Sequence, residues 1–247
     1  MPSKEHHRAS DCGCGACSGG ETAVGGPSLT RRGLFYGATA LALAAAPLAV
    51  STPAGAQSVT TPDEALGEMM AGNERFVAGQ YRSPAEDLAI LKQKNAEGQE
   101  PFGAVLACAD SRVPVEILFD QSIGHLFVVR IAGNIVTPEV IASLEYGVAV
   151  LGTKAIMVLG HSNCGAVKAT IGTKDVPGQI GALYMSIWPA VHEAGTDLAA
   201  VTEANARIQT QLLSNASPVI AAAIKAGTLK VVAALYDIAT GRVTQLS

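Results

Sequence analysis

The stretch "LACADSRVPVEILFD", residues 106–120, closes an apolar run with a thiol, a carboxylate and a guanidinium: Cys108, Asp110 and Arg112. Charge at the mouth of a buried strand is costly unless each group finds a partner. A second stretch, "GHSNCGAV" at 160–167, supplies an imidazole and a thiol in H-x-x-C spacing, His161 ending one apolar run and Cys164 opening a helical one. Such a turn can aim a ring nitrogen and a sulfur at one centre, and a thiolate at Cys164 gains from the positive end of the helix that begins there. Cys108, His161 and Cys164 together make a Cys₂His set, one of those that hold catalytic zinc and leave a fourth position for water. Asp110 then has two partners to choose from. On the metal it would fill that fourth position and close the site; in a bidentate pair with Arg112 it would leave the position to water.

Taken singly, each residue has an ordinary reading: a core histidine, two small buried thiols, an ion pair at a turn. Position favours the metal. Residues 57–247 hold two cysteines and three histidines, and three of those five close or follow apolar runs on one predicted rim. His125 and His192 have no such setting and read as surface or structural groups.

The rim follows from the elements that must carry these residues. "FGAVLAC" at 102–108, "HLFVVRIAG" at 125–133, "KAIMVLGH" at 154–161 and "LKVVAALYD" at 229–237 are continuous apolar runs, as expected of strands covered on both faces. Helical segments alternate with them, among them "TPEVIASLEYGVAVLGT", "CGAVKATI", "IGALYMSIWPAVHEA" and "DLAAVTEANARIQTQLL". The alternation predicts an α/β fold with a mostly parallel central sheet and flanking helices. In such sheets ligands bind beyond the carboxyl ends of the strands. Ahead of the sheet, Thr61, Pro62 and Glu64 form a capping box, which predicts a helix over 62–78 ending near Gly79, then a polar stretch to about residue 100 with a short helix around 88–94. No G-x-G-x-x-G follows a strand, which argues against a dinucleotide-binding module.

The chain has 247 residues, 49% of them hydrophobic, but the first part does not read as core. Arg31 and Arg32 precede an Ala- and Leu-rich run from Leu34 to Val50 and the small triplet Ala54-Gly55-Ala56, the pattern of an export signal cut after Ala56. The run is shorter than the roughly 20 residues a membrane span needs and is interrupted by Gly37 and Pro47. The paired arginines resemble a twin-arginine (Tat) signal. Residues 1–56 are therefore expected to be a leader and signal, and 57–247 a single domain with a helical arm over about 62–100, exported to the periplasm or beyond. Cys12, Cys14 and Cys17 lie among Gly, Ser and Ala in the leader, with no apolar residues from which to build a core. For an exported chain, a disulfide between Cys108 and Cys164 competes with the metal reading. Residues 57–247 carry 13 Lys plus Arg against 18 Asp plus Glu, a net charge of −5. Neither a basic patch nor a polybasic helix points to nucleic acid or a membrane surface.

"CADSR" at 108–112 with "GHSNCGAV" about fifty residues later resembles the β-class carbonic anhydrases, and "FVVRIAGN" at 127–134 and "SLEYGVAVLG" at 143–152 extend the likeness. The resemblance implies a Rossmann-like β-carbonic anhydrase fold and one zinc per chain on Cys108, His161 and Cys164. Asp110 and Arg112 become a mobile dyad, Asp110 on zinc in a closed form and on Arg112 in the open one. The implied reaction is reversible hydration of carbon dioxide to bicarbonate and a proton by zinc-bound hydroxide. It further implies a homodimer or homotetramer in which the 62–78 helix wraps a neighbour, an apolar substrate wall from Val113, Ile131 and residues of a second subunit, and Gln121 as a substrate hydrogen-bond donor. Members with an inhibitory bicarbonate site place a Trp where this chain has Val105, although Arg130 and Tyr236 stand at its partner positions. The same site could hydrolyse carbonyl sulfide or carbon disulfide, or be a closed, non-catalytic zinc site with Asp110 as permanent fourth ligand.

Overall fold

The capping box forms as its residues dictate. In the computed structural model, which describes residues 59, 61–81, 98–173 and 175–247, the Thr61 hydroxyl accepts from Glu64 N at 3.2 Å and the Glu64 carboxylate accepts from Thr61 N at 3.0 Å. Helix α1 runs Pro62–Ala78, and Gly79 ends it in the left-handed region at φ 68°. The leader, the signal, its expected cut and the short helix expected at 88–94 lie outside the described residues. All described residues fall in one compact unit, Thr52–Ser247.

Strands β1 (Gly103–Ala107), β2 (Leu126–Arg130), β3 (Ala155–His161) and β4 (Lys230–Tyr236) occupy the four predicted apolar runs. They pair in parallel, and a short β5 (Val243–Gln245) adds an antiparallel edge in the order β2-β1-β3-β4-β5. Between them lie α2 (Val115–Leu118), α3 (Pro138–Ala149), α4 (Gly165–Ile171), α5 (Ala182–Ala194), α6 (Leu198–Ala216) and α7 (Pro218–Lys225). Successive strand residues alternate between two cores. Val105, Ala107, Met157 and Leu159 face α1 and α2, while Ala104, Leu106, Ile156 and Val158 pack with Leu144 of α3, Leu213 of α6 and Ile220 of α7. A third cluster joins Cys108 and Cys164 to Val167, Ile187, Ala190, Val201 and Ala204 on α4, α5 and α6. Burial on both faces is complete in the central strands β1 and β3, which is why those two read as unbroken apolar runs. Among the described residues, no helix is long and apolar enough to cross a membrane.

Helix α1 buries Ala65, Leu66, Met69, Gly72 and Asn73 against its own chain. Asn73 Nδ2 donates to the carbonyls of Leu118 and Gly241 at 3.1 and 2.9 Å, and its Oδ1 accepts from Val243 N at 2.8 Å. Gly72 lets the helix backbone lie against the Phe119 carbonyl, whose oxygen a Cβ at that position would meet at 1.7 Å. The helix expected to wrap a neighbour thus has its interior face fixed within one chain, because a buried amide with three backbone partners seats it there.

Candidate metal centre

Strand β1 delivers Cys108 one residue past its end, and β3 ends on His161. The two strands are parallel neighbours in register, Ala107 opposite Leu159, so both side chains emerge at the same carboxyl rim. Asn163, at φ 55°, turns the chain between His161 and Cys164 in a conformation that asparagine tolerates. Cys164 then starts α4, and the N–H groups of Ala166 and Val167 favour its charged form without closing a capping hydrogen bond.

The two sulfurs and a ring nitrogen of His161 lie within 4.8 Å of one another, all three residues buried. His161 Nδ1 is 3.0 Å from the Ser162 carbonyl. A carbonyl only accepts, so Nδ1 carries the proton and Nε2 presents a lone pair. That Nε2 is buried and has no hydrogen-bond partner. An orphaned acceptor beside two sulfurs fits a tetrahedral, thiolate-preferring ion, zinc before magnesium or calcium. The disulfide alternative is not what the structure shows: Cys108 and Cys164 are free, their sulfurs sharing a centre with the imidazole instead of closing on each other.

The cysteines are unequal. Cys108 is held down, chiefly by the Cys164 thiol donating to it and further by the N–H groups of Gly133 and Asp110, while burial opposes. Cys164 is pushed up, first by that shared proton and then by burial. In the metal-free pair, charge is thus favoured on Cys108 and the proton on Cys164. Zinc requires both as thiolates, so binding near neutral pH is expected to release about one proton per metal. Calorimetric titration in two buffers of different ionisation enthalpy measures this, and release of about two would show that both sulfurs start protonated.

Asp110 is on Arg112. Its Oδ1 accepts from Arg112 N and Nε, both at 2.9 Å, and its Oδ2 from Nη2 at 2.7 Å. Arg112 Nη2 also reaches the Asn163 carbonyl at 3.2 Å, tying the dyad to the H-x-x-C turn. The hydrogen bonds from Arg112 hold the Asp110 carboxyl well below the usual carboxylate range. Asp110 Oδ2 nevertheless lies 3.9 Å from His161 Nε2, one short swing from the ligand cluster. Arg130 holds the backbone beneath this pair, donating from Nε to the Cys108 carbonyl at 3.0 Å and from Nη2 to the Asp110 carbonyl at 2.5 Å. Val105, where bicarbonate-regulated members carry Trp, is fully buried.

Two predicted substrate residues do not join the cluster within one chain. Val113 has no exposed surface and packs in the core beneath α1 and α2. Gln121 is buried too, its Nε2 directed to Glu68 and to the Phe119 carbonyl at 3.1 Å and its Oε1 to His125 Nδ1 at 3.3 Å. Ile131 is partly buried and packs against the cysteine cluster. A contact that the sequence pattern concealed is Gly133 N, which donates to Cys108 Sγ at 3.3 Å.

Fold and site define a class: a Cys₂His metal enzyme built at the carboxyl rim of a parallel α/β sheet. The sequence model of the carbonic anhydrase family matches residues 103–243. The chain is 39% identical over 197 residues to a carbonic anhydrase of Mycolicibacterium smegmatis, covering 74% of this chain and 93% of that protein. It is 37% identical over 191 residues to carbonic anhydrase 2 of Mycobacterium tuberculosis, covering 74% and 92%. A tetrameric β-carbonic anhydrase of the ascomycete Sordaria macrospora superposes with a TM-score of 0.61 at 26% identity, covering 74% of this chain and 96% of that one. The chain belongs to the carbonic anhydrase family, in its β class.

Proposed function

We infer that the chain catalyses reversible hydration of carbon dioxide to bicarbonate and a proton, with one zinc held by Cys108, His161 and Cys164. The observation that carries this is the unpartnered His161 Nε2 between two free cysteines, beside a carboxylate already taken by an arginine. Bound zinc supplies Lewis acidity, bringing the pKa of a water towards neutrality so that a nucleophile exists at working pH. Two thiolates donate more charge than two imidazoles would, so activity is expected to rise on the alkaline side. Arg112 keeps Asp110 off the fourth position, and Arg130 fixes the backbone from which both Cys108 and Asp110 project. Stopped-flow hydration across pH, with zinc content measured on the same sample, tests the reading. One zinc per chain with activity climbing toward alkaline pH supports it. Full zinc without activity at any pH would move the assignment to the sulfur analogues of carbon dioxide or to a closed structural site.

The dyad has its own pH signature. Because Arg112 lowers Asp110 below its ordinary value near 4, the pair contributes stability that is present above that value and lost as pH falls through the lowered one. Melting of metal-free protein between about pH 5 and about pH 2 should therefore decline more steeply in the wild type than in Asp110→Asn. Equal slopes would place the carboxylate free in solution.

Export and assembly complete the proposal. Arg31, Arg32, the apolar run and Ala54-Gly55-Ala56 support cleavage after Ala56 and a periplasmic or extracellular enzyme. N-terminal sequencing of the chain from fractionated cells checks it, a start at Gln57 being expected and an intact leader overturning it. The tetrameric Sordaria relative supports a homodimer or homotetramer, measurable by sedimentation.

A further inference from the structure

Behind the metal centre, α6 carries two carboxamide side chains into the core. Asn205 and Gln209 are each 1% exposed, on a helix that also buries Val201, Thr202, Ala204, Ala206 and Leu213. Buried amides are costly unless their hydrogen bonds are met, and these two bond to each other, to the 132–136 segment and to α5. Asn205 Nδ2 donates to the Gly133 carbonyl at 2.9 Å. Asn205 Oδ1 accepts from Gln209 Nε2 at 3.3 Å, while Gln209 also donates to the Ser186 carbonyl at 2.9 Å and accepts from Val136 N at 2.8 Å. Since Gly133 O can only accept, the Asn205 amide has one orientation, and Gln209 holds it there.

Gly133 is the residue whose N–H donates to Cys108 Sγ. It sits at φ 75°, and a Cβ there would meet Ile187 Cδ1 at 2.8 Å and Ala166 Cβ at 3.3 Å. Its backbone is therefore confined sterically on one side and anchored by Asn205 through its carbonyl. We propose that Asn205 is a positioning residue for the metal centre: the Gln209-supported carboxamide fixes Gly133 so that its N–H points at Cys108 Sγ and keeps this sulfur aimed at the metal position. Outer hydrogen bonds of this kind orient ligands and tune the metal they hold.

The proposal rests on the zinc reading above. Its test uses the full-length chain with three measurements: zinc affinity by chelator competition, the sulfur-to-metal charge-transfer band of cobalt-substituted protein, and melting without metal. Asn205→Leu, close in volume, is expected to weaken zinc binding on the order of 10- to 100-fold and to move the cobalt band. Gln209→Met, which leaves Asn205 in place, should shift both in the same direction by less. A lower melting temperature with zinc affinity and cobalt band unchanged in the folded variants overturns the proposal, leaving Asn205 as a staple between α6 and the loop. If Asn205→Leu does not fold, Gln209→Met decides by the same two readouts; failure of both to fold also overturns it, since the pair would then serve the fold. A wild-type chain that takes up neither zinc nor cobalt would sink the zinc reading itself, and this proposal with it.

Discussion

Cys164→Ser is expected to leave the chain with less than about a tenth of its zinc and to lower carbon dioxide hydration on the order of a thousandfold or more. Cys164 is fully buried and starts α4 on the rim shared by Cys108 and His161. A serine hydroxyl there is neutral at working pH and shorter in reach, so a tetrahedral site loses one of its three protein ligands. Lewis acidity contributes several kcal/mol to such reactions, and each 1.4 kcal/mol, roughly, is a factor of ten in rate. Metal analysis beside stopped-flow assays separates the two losses. Full zinc in the variant would remove Cys164 from the ligand set, whereas Asp110→Ala should keep its zinc, because that carboxylate is on Arg112.

Gly72→Ala is expected to destabilise the fold by about 3 kcal/mol or more, a fall in melting temperature of roughly 6–12 °C for a unit of this size. The new methyl would lie 1.7 Å from the Phe119 carbonyl oxygen, 2.7 Å from its carbon and 3.1 Å from Gln121 Nε2. The obstacle is backbone, which cannot rotate away, so α1 must lift and take Asn73 from its three partners. Zinc content should be unchanged, since every ligand follows β1 or ends or follows β3. Thermal melting with metal analysis checks both halves, and a melting temperature within about 1 °C of wild type would show that α1 does not dock as described.

The ligand set was legible because its chemistry is local to strand ends. An apolar run fixes a strand, its carboxyl end fixes the rim, and Cys108, His161 and Cys164 then have one place to meet. Thr61, Pro62 and Glu64 likewise announced α1 through contacts within one turn. What escaped the sequence depends on distant neighbours. Strand β5 is three residues long, too short to show a period, and α2 has four. Val113 and Gln121 occupy plausible positions in the loop after Cys108, yet the packing of α1 buries both. Asn205 and Gln209 fall on the stripe of Val201 and Leu213, and the approach of the 132–136 segment shows why polar groups stand there.

Asn73 has a consequence for the order in which the molecule assembles. Its partners Gly241 and Val243 lie 168 and 170 residues further along the chain, so docking α1 closes one of the longest loops in the protein and must await nearly complete synthesis. The donors of the metal centre span only positions 108 to 164, and closure of that loop costs less entropy. During synthesis, β1 and β3 emerge while Gly241 and Val243, two of the three partners of Asn73, are still unmade. The loop that gathers the metal donors is therefore within reach of a nascent chain, whereas the full seat of α1 exists only in a finished one.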